Sequence, residues 1–297
     1  SFLRLAIGVV LGLALGGLAG GGYVIHRMWQ DLPTVDHLAR YDPALPLRIH
    51  ARDGTLLAEY GTERREFVPI ARIPMHMRQA LLAIEDASYY EHRGVDFAGV
   101  ARAALSNLGA GGRAQGGSTI TMQVARVFFL SREKTYSRKM REVLLAYKLE
   151  AAYDKDKILE LYMNQVYLGE RAYGFAAAAS VYFDKPLQEL TLAEAAMLAG
   201  LPKAPSAYNP VANRERAVVR QRHILSRMLA LGWIDQAAHD RALAEELVLR
   251  FNPGPAELAA GYAVEQARQL VVEQFGEEAY TLGLDVTLTV DLQQQRV

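Results

Sequence analysis

Residues 137–153 read SRKMREVLLAYKLEAAY. Met140, Val143, Leu144 and Tyr147 recur at spacings of three and four, which puts them on one stripe of an α-helix. A strand would need strict alternation instead. The same helix places Arg138, Lys139 and Glu142 within one turn of each other, so cations and a carboxylate share a face.

Working outward, the helical period continues on both sides. Ala80 to Ala87 follows Pro74 with apolar residues at helical spacing, and Ile120 to Leu130 is apolar enough for a buried helix. Asp156 to Leu168 is a further helix that Gly169 ends. Thr191 and Glu194 form a capping box, and Gly200 with Pro202 stops the helix it opens. Ala217–Ala230 and Asp235–Leu247 complete a mostly α-helical domain. Asn107 to Gly117 is glycine-rich and reads as a loop, and Asn252 to Pro255 breaks the pattern.

Two short stretches are β. Arg48 to Tyr60 reads as a hairpin around the turn signal Asp53-Gly54. Gly283 to Asp291 alternates Val286, Leu288 and Val290 with Thr287 and Thr289. A lone strand needs a partner, and the expected partner is the hairpin. No internal repeat is evident.

Composition narrows the classes. The 297 residues hold 33 Lys plus Arg and 33 Asp plus Glu, so the chain lacks the basic excess of a nucleic-acid binder. With no Cys, disulfides, thiolate metal sites and a cysteine nucleophile are excluded. From Leu5 to Ile25 no residue is charged, a helix length of about 31 Å, enough for a bilayer core. Arg4 precedes this run and His26 and Arg27 follow. A signal-peptide core is shorter, about 7–15 residues, so the run reads as a transmembrane anchor. Gly16, Gly17 and Gly20 to Gly22 within it also suit helix–helix contact. Asp31 to Pro46, with Pro33, Pro43 and Pro46, has the composition of a linker.

Three clusters can carry chemistry. Glu85-Asp86 ends an apolar helix, and an acidic pair there suits acid–base work at a cleft. The ordinary alternative is a solvated helix end. Gln115-Gly116-Gly117-Ser118-Thr119 precedes a helix and can offer N–H groups to an anion, or simply be a loop with a hydroxyl N-cap. It lacks the Lys of a P-loop. Arg138, Lys139 and Glu142 can serve an anionic substrate or form a common surface ion pair. His92 has no second His at metal-ligand spacing.

Taken together these segments resemble the glycosyltransferase domain of class A penicillin-binding proteins, glycosyltransferase family 51. Five motifs stand in the family's order between about Arg48 and Leu247: Glu85 to Gly94, Gly116 to Gln123, Arg138 to Glu142, Lys157 to Asn164 followed by Tyr167-Leu168-Gly169, and Arg220 to Leu225. Leu201 to Ser206 and Tyr208-Asn209-Pro210 fit as well, and the proteobacterial type 1A branch is the nearest in pattern. Met122 stands where Gln is usual, Gln221 where a second Arg is usual, and Val127 where Asn is common. Arg220 or Arg222 is the candidate to compensate for Gln221.

The resemblance implies a lysozyme-like helical fold with a smaller membrane-facing lobe. Residues 1–28 would be a cytoplasmic stub and anchor, 29–60 a linker and hairpin, 61–250 the glycosyltransferase domain, and 251–297 a linker toward a transpeptidase domain that the chain does not reach. It implies a bacterial inner-membrane protein with its catalytic domain in the periplasm. Its partners would be lipid II, nascent glycan, membrane lipid and other cell-wall synthesis proteins, with no nucleic acid. Val100 to Leu108 and Phe128-Phe129-Leu130 are candidates for membrane contact, with ordinary core as the alternative.

By the same resemblance Glu85 is the general base and Glu142 the second important carboxylate. Glu142 either orients nearby cations or holds a divalent cation, Mg2+ or Mn2+; no organic cofactor is implied. Arg126, Arg138 and Lys139 would meet the diphosphate, and Ser118, Thr119 and Gln123 would hydrogen-bond substrate. Asp86, His92, Gln115, Glu160, Tyr162, Asn164 and Arg220 complete the expected substrate contacts. The rival readings are a lysozyme-like lytic transglycosylase, which cuts glycan, and a non-catalytic membrane scaffold.

Overall fold

The computed structural model describes residues 16–17, 19–40, 45–61, 63–101, 117–130, 135–251 and 261–290. Gln115, most of the expected membrane span, and residues 102–108 of the expected membrane-contact segment lie outside these. Among the described residues no helix is long and apolar enough to cross a membrane. The chain divides into two compact units, Ser1–Arg40 with Arg93–Asp154, and Tyr41–His92 with Lys155–Val297.

The first unit is built on two helices, α2 (Ile120–Phe129) and α3 (Tyr136–Ala152), which pack side by side. α3 starts one residue before the amphipathic stretch read from sequence and ends one residue before it. Leu145, Ala146 and Leu149 are its buried side. Val95, Met122 and Ala146 form a small core with Val143. Met122 thus sits in apolar packing, which explains a thioether where the family pattern has an amide. Residues 31–40, expected as linker, are docked onto α3. Val35 and Leu38 are buried, Lys148 Nζ donates to the Pro33 carbonyl at 2.9 Å, and the Tyr153 hydroxyl donates to the Val35 carbonyl at 2.7 Å. Burial, then the nearby Asp36 charge, pushes the Tyr153 phenol up.

The second unit holds the remaining labelled elements. α1 (Met75–Glu85) packs against α6 (Leu192–Ala199) and α7 (Arg214–Ala230). α4 (Lys155–Gln165), α5 (Phe175–Phe183) and α8 (Gln236–Ala244) surround them. The capping box at Thr191 and Glu194 is fully formed. α4 stops at Gln165, three residues earlier than the sequence pattern suggests. α5 is not evident from periodicity. Its FAAAASVYF is buried on almost every side, so it has no polar face to create a period.

The β part of this unit is a small sheet in the order β2 (Leu56–Tyr60), β1 (Leu47–His50), β5 (Asp285–Thr287). β5 pairs with β1, parallel, with Ile49 opposite Val286. The expected pairing of C-terminal strand and hairpin is present. Two further backbone bonds extend it, Leu288 N–H to His50 O at 2.8 Å and Arg52 N–H to Val290 O at 3.2 Å. Val286, Leu288 and Val290 all pack on the core of Leu47, Ile49, Ala51 and Leu57. Residues 251–297, read as linker, also contain helix α9 (Gly261–Phe275), whose Val264 and Ala267 cover that same core.

A second, two-stranded sheet joins β3 (Arg64–Arg65) to β4 (Ala172–Tyr173). It lies in the stretch that leads to α1, and α4 fixes that stretch. Asn164 Oδ1 accepts from Val68 N–H at 2.8 Å and its Nδ2 donates to Val68 O at 2.9 Å. Glu160 Oε2 accepts from Ile70 N–H at 2.9 Å, and Lys157 donates to its Oε1 at 2.8 Å. Gly174 follows with φ +85, and a Cβ there would lie 2.7 Å from Asn164 O. Only glycine combines that backbone with that approach.

Asn164→Ala is expected to lower the unfolding free energy by about 2–4 kcal/mol, because two buried backbone groups of Val68 lose their partners. Urea denaturation of the variant checks this; an unchanged midpoint would mean that the brace contributes nothing.

Candidate active site

Each unit holds one of the two motif carboxylates, Glu85 and Glu142, beside a cation. In the second unit the carboxylate stands at the end of α1. Met77, Ala80, Leu81, Leu82 and Ala83 are buried and anchor the helix, so its last residue, Glu85, is fixed in place. Its side chain is 14% exposed, and Arg220 Nη2 lies 3.9 Å from its Oε1. Burial holds the Arg220 guanidinium below the usual arginine range, while Glu85 acts in the opposite direction. The Tyr208 ring lies 5.6 Å from the guanidinium carbon. Tyr208 also lines an open groove of about 620 Å3 with Ala207, Asn213, Glu215, Arg216 and Val219.

Asp86 turns the other way. It caps α1 with φ −164 and ψ 76, and His92 Nε2 lies 3.0 and 3.1 Å from its two oxygens. Both side chains are buried. The loop between them is pinned to the start of α4. The Tyr89 hydroxyl donates to Lys155 O at 2.8 Å, Lys155 Nζ sits 4.4 Å from the Tyr89 ring centroid, and the Tyr90 hydroxyl donates to Asp156 at 2.8 Å. Burial, then that hydrogen bond, pushes the Tyr90 phenol up to about 12. Asp86 and His92, expected to touch substrate, therefore tie down the loop that follows Glu85. Lys155 and Asp156 carried no motif signal for this work.

In the first unit the cluster centres on Glu142, whose side chain is 2% exposed. Lys139 Nζ donates to its Oε2 at 3.0 Å and to Ser118 Oγ at 2.7 Å. Arg138 Nε lies 3.2 Å from Oε1, in ion-pair range but out of line for a hydrogen bond. Ser118 is held because its neighbour Thr119 caps α2. The Thr119 side chain accepts from Met122 N–H at 3.2 Å and donates to Gly94 O at 2.5 Å. Gln123 is buried beside them, and Arg126 is exposed on the last turn of α2. Thr121 donates to Glu150 at 2.6 Å, a pairing of α2 and α3 that no motif marked.

Several expected ligand contacts act on the scaffold. Glu160 and Asn164 hold residues 68–70, and Tyr162 is buried at 2% exposure. Gln221 is buried and donates to Ala193 O at 3.0 Å, so a neutral amide suits a site where an arginine would need a counter-charge. Arg222 is exposed, and Arg220 is the motif cation that meets Glu85.

Fold and clusters define a mostly helical domain that holds two carboxylates beside cations. The family model for transglycosylases matches residues 53–229, and the chain belongs to that family. It is 51% identical over 290 residues to "Penicillin-binding protein 1A" of Neisseria cinerea, covering 98% of this chain and 36% of that protein. It is 47% identical over 265 residues to the Pseudomonas aeruginosa protein of the same name, covering 89% and 32%. The crystal structure of penicillin-binding protein 1A from Haemophilus influenzae matches with a TM-score of 0.50 at 32% identity, over 86% of this chain and 28% of that one. The chain spans about a third of the length of the curated relatives it matches.

Lys139→Ala is expected to cost about 1–3 kcal/mol of stability, since it takes one counter-charge from a carboxylate that is 2% exposed. Glu142→Ala is expected to cost less, because the cations it leaves, 46% and 19% exposed, can be solvated by water. Denaturation curves for the pair check the ordering; equal losses would contradict it.

Proposed function

We propose that this transglycosylase domain is the peptidoglycan glycosyltransferase part of a longer, membrane-anchored protein of the bacterial inner membrane, with the domain in the periplasm. Its reaction extends glycan strands from lipid II. The GlcNAc 4-hydroxyl of the acceptor attacks the anomeric carbon of the donor MurNAc, and its proton passes to Glu85. The bond from that carbon to the diphosphate oxygen breaks, undecaprenyl pyrophosphate leaves, and the configuration inverts from α to β.

A sugar hydroxyl is a weak nucleophile at neutral pH and needs a base. The departing diphosphate needs no proton, only positive charge where negative charge builds up. The observation that carries the reading is Lys139. Its side chain is half exposed, yet its ammonium is fixed by Glu142 and Ser118. Such a cation is pre-organised for an anionic leaving group, with Arg138 beside it in sequence and the exposed Arg126 on α2. A lytic enzyme would instead need a protonated acid for a departing sugar oxygen.

A divalent cation fits the donor set poorly. Glu142 turns its oxygens toward Lys139 and Arg138, and among the described residues no three His, Cys, Asp or Glu side chains converge. Positive charge from the protein itself takes that role in this reading. Exposed Phe97, Val100, Val127 and Met140 in the first unit supply an apolar surface for the lipid portion of the substrate and the bilayer. The lysozyme-like fold and membrane-facing lobe implied by the family belong to the same proposal.

Detergent-purified protein incubated with labelled lipid II should form moenomycin-sensitive polymer. Glu85→Gln should reduce the rate by about 100-fold or more while leaving thermal unfolding unchanged. Normal polymer from that variant would remove Glu85 as base. Lys139→Ala should slow polymerisation by about 10- to 100-fold, and an unchanged rate would leave Lys139 as a structural ion pair only.

A further inference from the structure

Gly200 ends α6 at φ −77 and ψ −21, a right-handed backbone that any residue adopts. Its lack of a side chain therefore answers to space. A Cβ at Gly200 would lie 2.8 Å from Arg220 Cγ and 3.3 Å from Met197 O. Cγ is near the root of the arginine, so relieving that clash moves the whole side chain. The Tyr208 ring lies 5.6 Å from the guanidinium carbon. The Arg220 side chain is 11% exposed, and its Nη2 stands 3.9 Å from Glu85 Oε1.

Three separate pieces of chain thus meet the Arg220 side chain: the end of α6 at its stem, and Tyr208 and Glu85 at its guanidinium. A long, flexible side chain held this closely is already ordered before substrate arrives. Arginine keeps its charge throughout the working pH range, so its positive charge is always present beside Glu85. At 3.9 Å it orients by charge, and Arg220 does not itself take up a proton-accepting lone pair through a hydrogen bond.

We propose that Arg220 is a positioning residue for the Glu85 carboxylate, set in place by the space at Gly200 and the ring of Tyr208. Arg220 acts through Glu85 and does not bind the substrate. The inference rests on Glu85 being the base, as proposed above. It also gives Gly200 a role beyond stopping a helix: it admits the arginine stem.

The test is steady-state lipid II polymerisation by the full chain in detergent, with kcat and KM measured separately and thermal unfolding followed in parallel. Arg220→Met should lower kcat by about 10- to 100-fold with KM within about twofold. Arg220→Lys should recover part of that loss, since an ammonium restores the charge but not the reach. Gly200→Ala should lower kcat in the same way although no charged group is removed, and Tyr208→Ala should do so more weakly. A rise in KM at constant kcat in Arg220→Met would overturn the proposal by making Arg220 a substrate contact. Wild-type kcat in Gly200→Ala would overturn the packing argument. Losses of activity that merely follow losses of melting temperature would reduce all three residues to scaffold. Glu85→Gln run alongside separates the two levels: polymer at the wild-type rate from it sinks the base assignment itself.

Discussion

A carboxylate that is 2% exposed has lost nearly all of its water and needs opposite charge brought to it. Glu142 is such a group, and much of the first unit is arranged by that requirement. Because α3 is a helix, positions three and four before Glu142 stand on its own face, and they are Lys139 and Arg138. Lys139 then reaches Ser118 at 2.7 Å. Ser118 is fixed in turn by the N-cap at Thr119 and the bond from Thr119 to Gly94. Packing of α2 on α3 thus ends in a fixed ammonium with half its side chain in solvent. The desolvation of one buried acid is offset by cations whose outer parts remain available to an anionic ligand.

The second unit reaches a comparable end by different means. Glu85 is not deeply buried, and its place depends on what leads into α1. Residues 66–69 lack regular structure and lead into a short 3-10 turn at Ile70–Arg72 before that helix, and would otherwise leave backbone groups unpaired. Asn164 and Glu160 supply those partners from α4. After α1, the Asp86–His92 pair and the Tyr89 and Tyr90 hydroxyls hold the exit. A side chain at a helix end is only as well placed as the segments on either side of it, which explains why so many motif residues serve backbone geometry.

How much of this was legible in the sequence depended on whether one face differed from the other. α7 alternates buried and exposed faces, so its period is plain. On α3 the helix was legible but its buried side was not, since Met140 and Tyr147 of the apolar stripe are exposed and Leu145, Ala146 and Leu149 are buried. α5 is apolar on all sides and α9 follows a stretch of Gly and Pro, so neither produced a readable pattern. The β5 strand was legible from its alternation, and its need for a partner pointed to the hairpin. The parallel register was not, because nothing local distinguishes parallel from antiparallel for a strand this short. At the site, the motifs marked Glu85, Glu142, Arg138 and Lys139 as candidates, and the last three fall in one cluster while Glu85 stands beside Arg220. They could not separate residues that face a ligand from residues such as Asn164, since a buried amide bound to backbone looks the same in sequence as one waiting for substrate.

Arg220 and Gln221 show why the last distinction needs coordinates. Successive residues on a helix point about 100° apart, so neighbours in a motif meet different surroundings. Gln221 faces α6, where the Ala193 carbonyl accepts its amide. An arginine there would leave most of its donors buried without acceptors. Arg220, one step round, meets a carboxylate and an aromatic ring and fits only because Gly200 leaves room for its stem. The loss of one arginine from a two-arginine motif is therefore tolerable on physical grounds. The position that lost its charge is the one whose surroundings disfavour charge, and the position that kept it is the one in contact with Glu85.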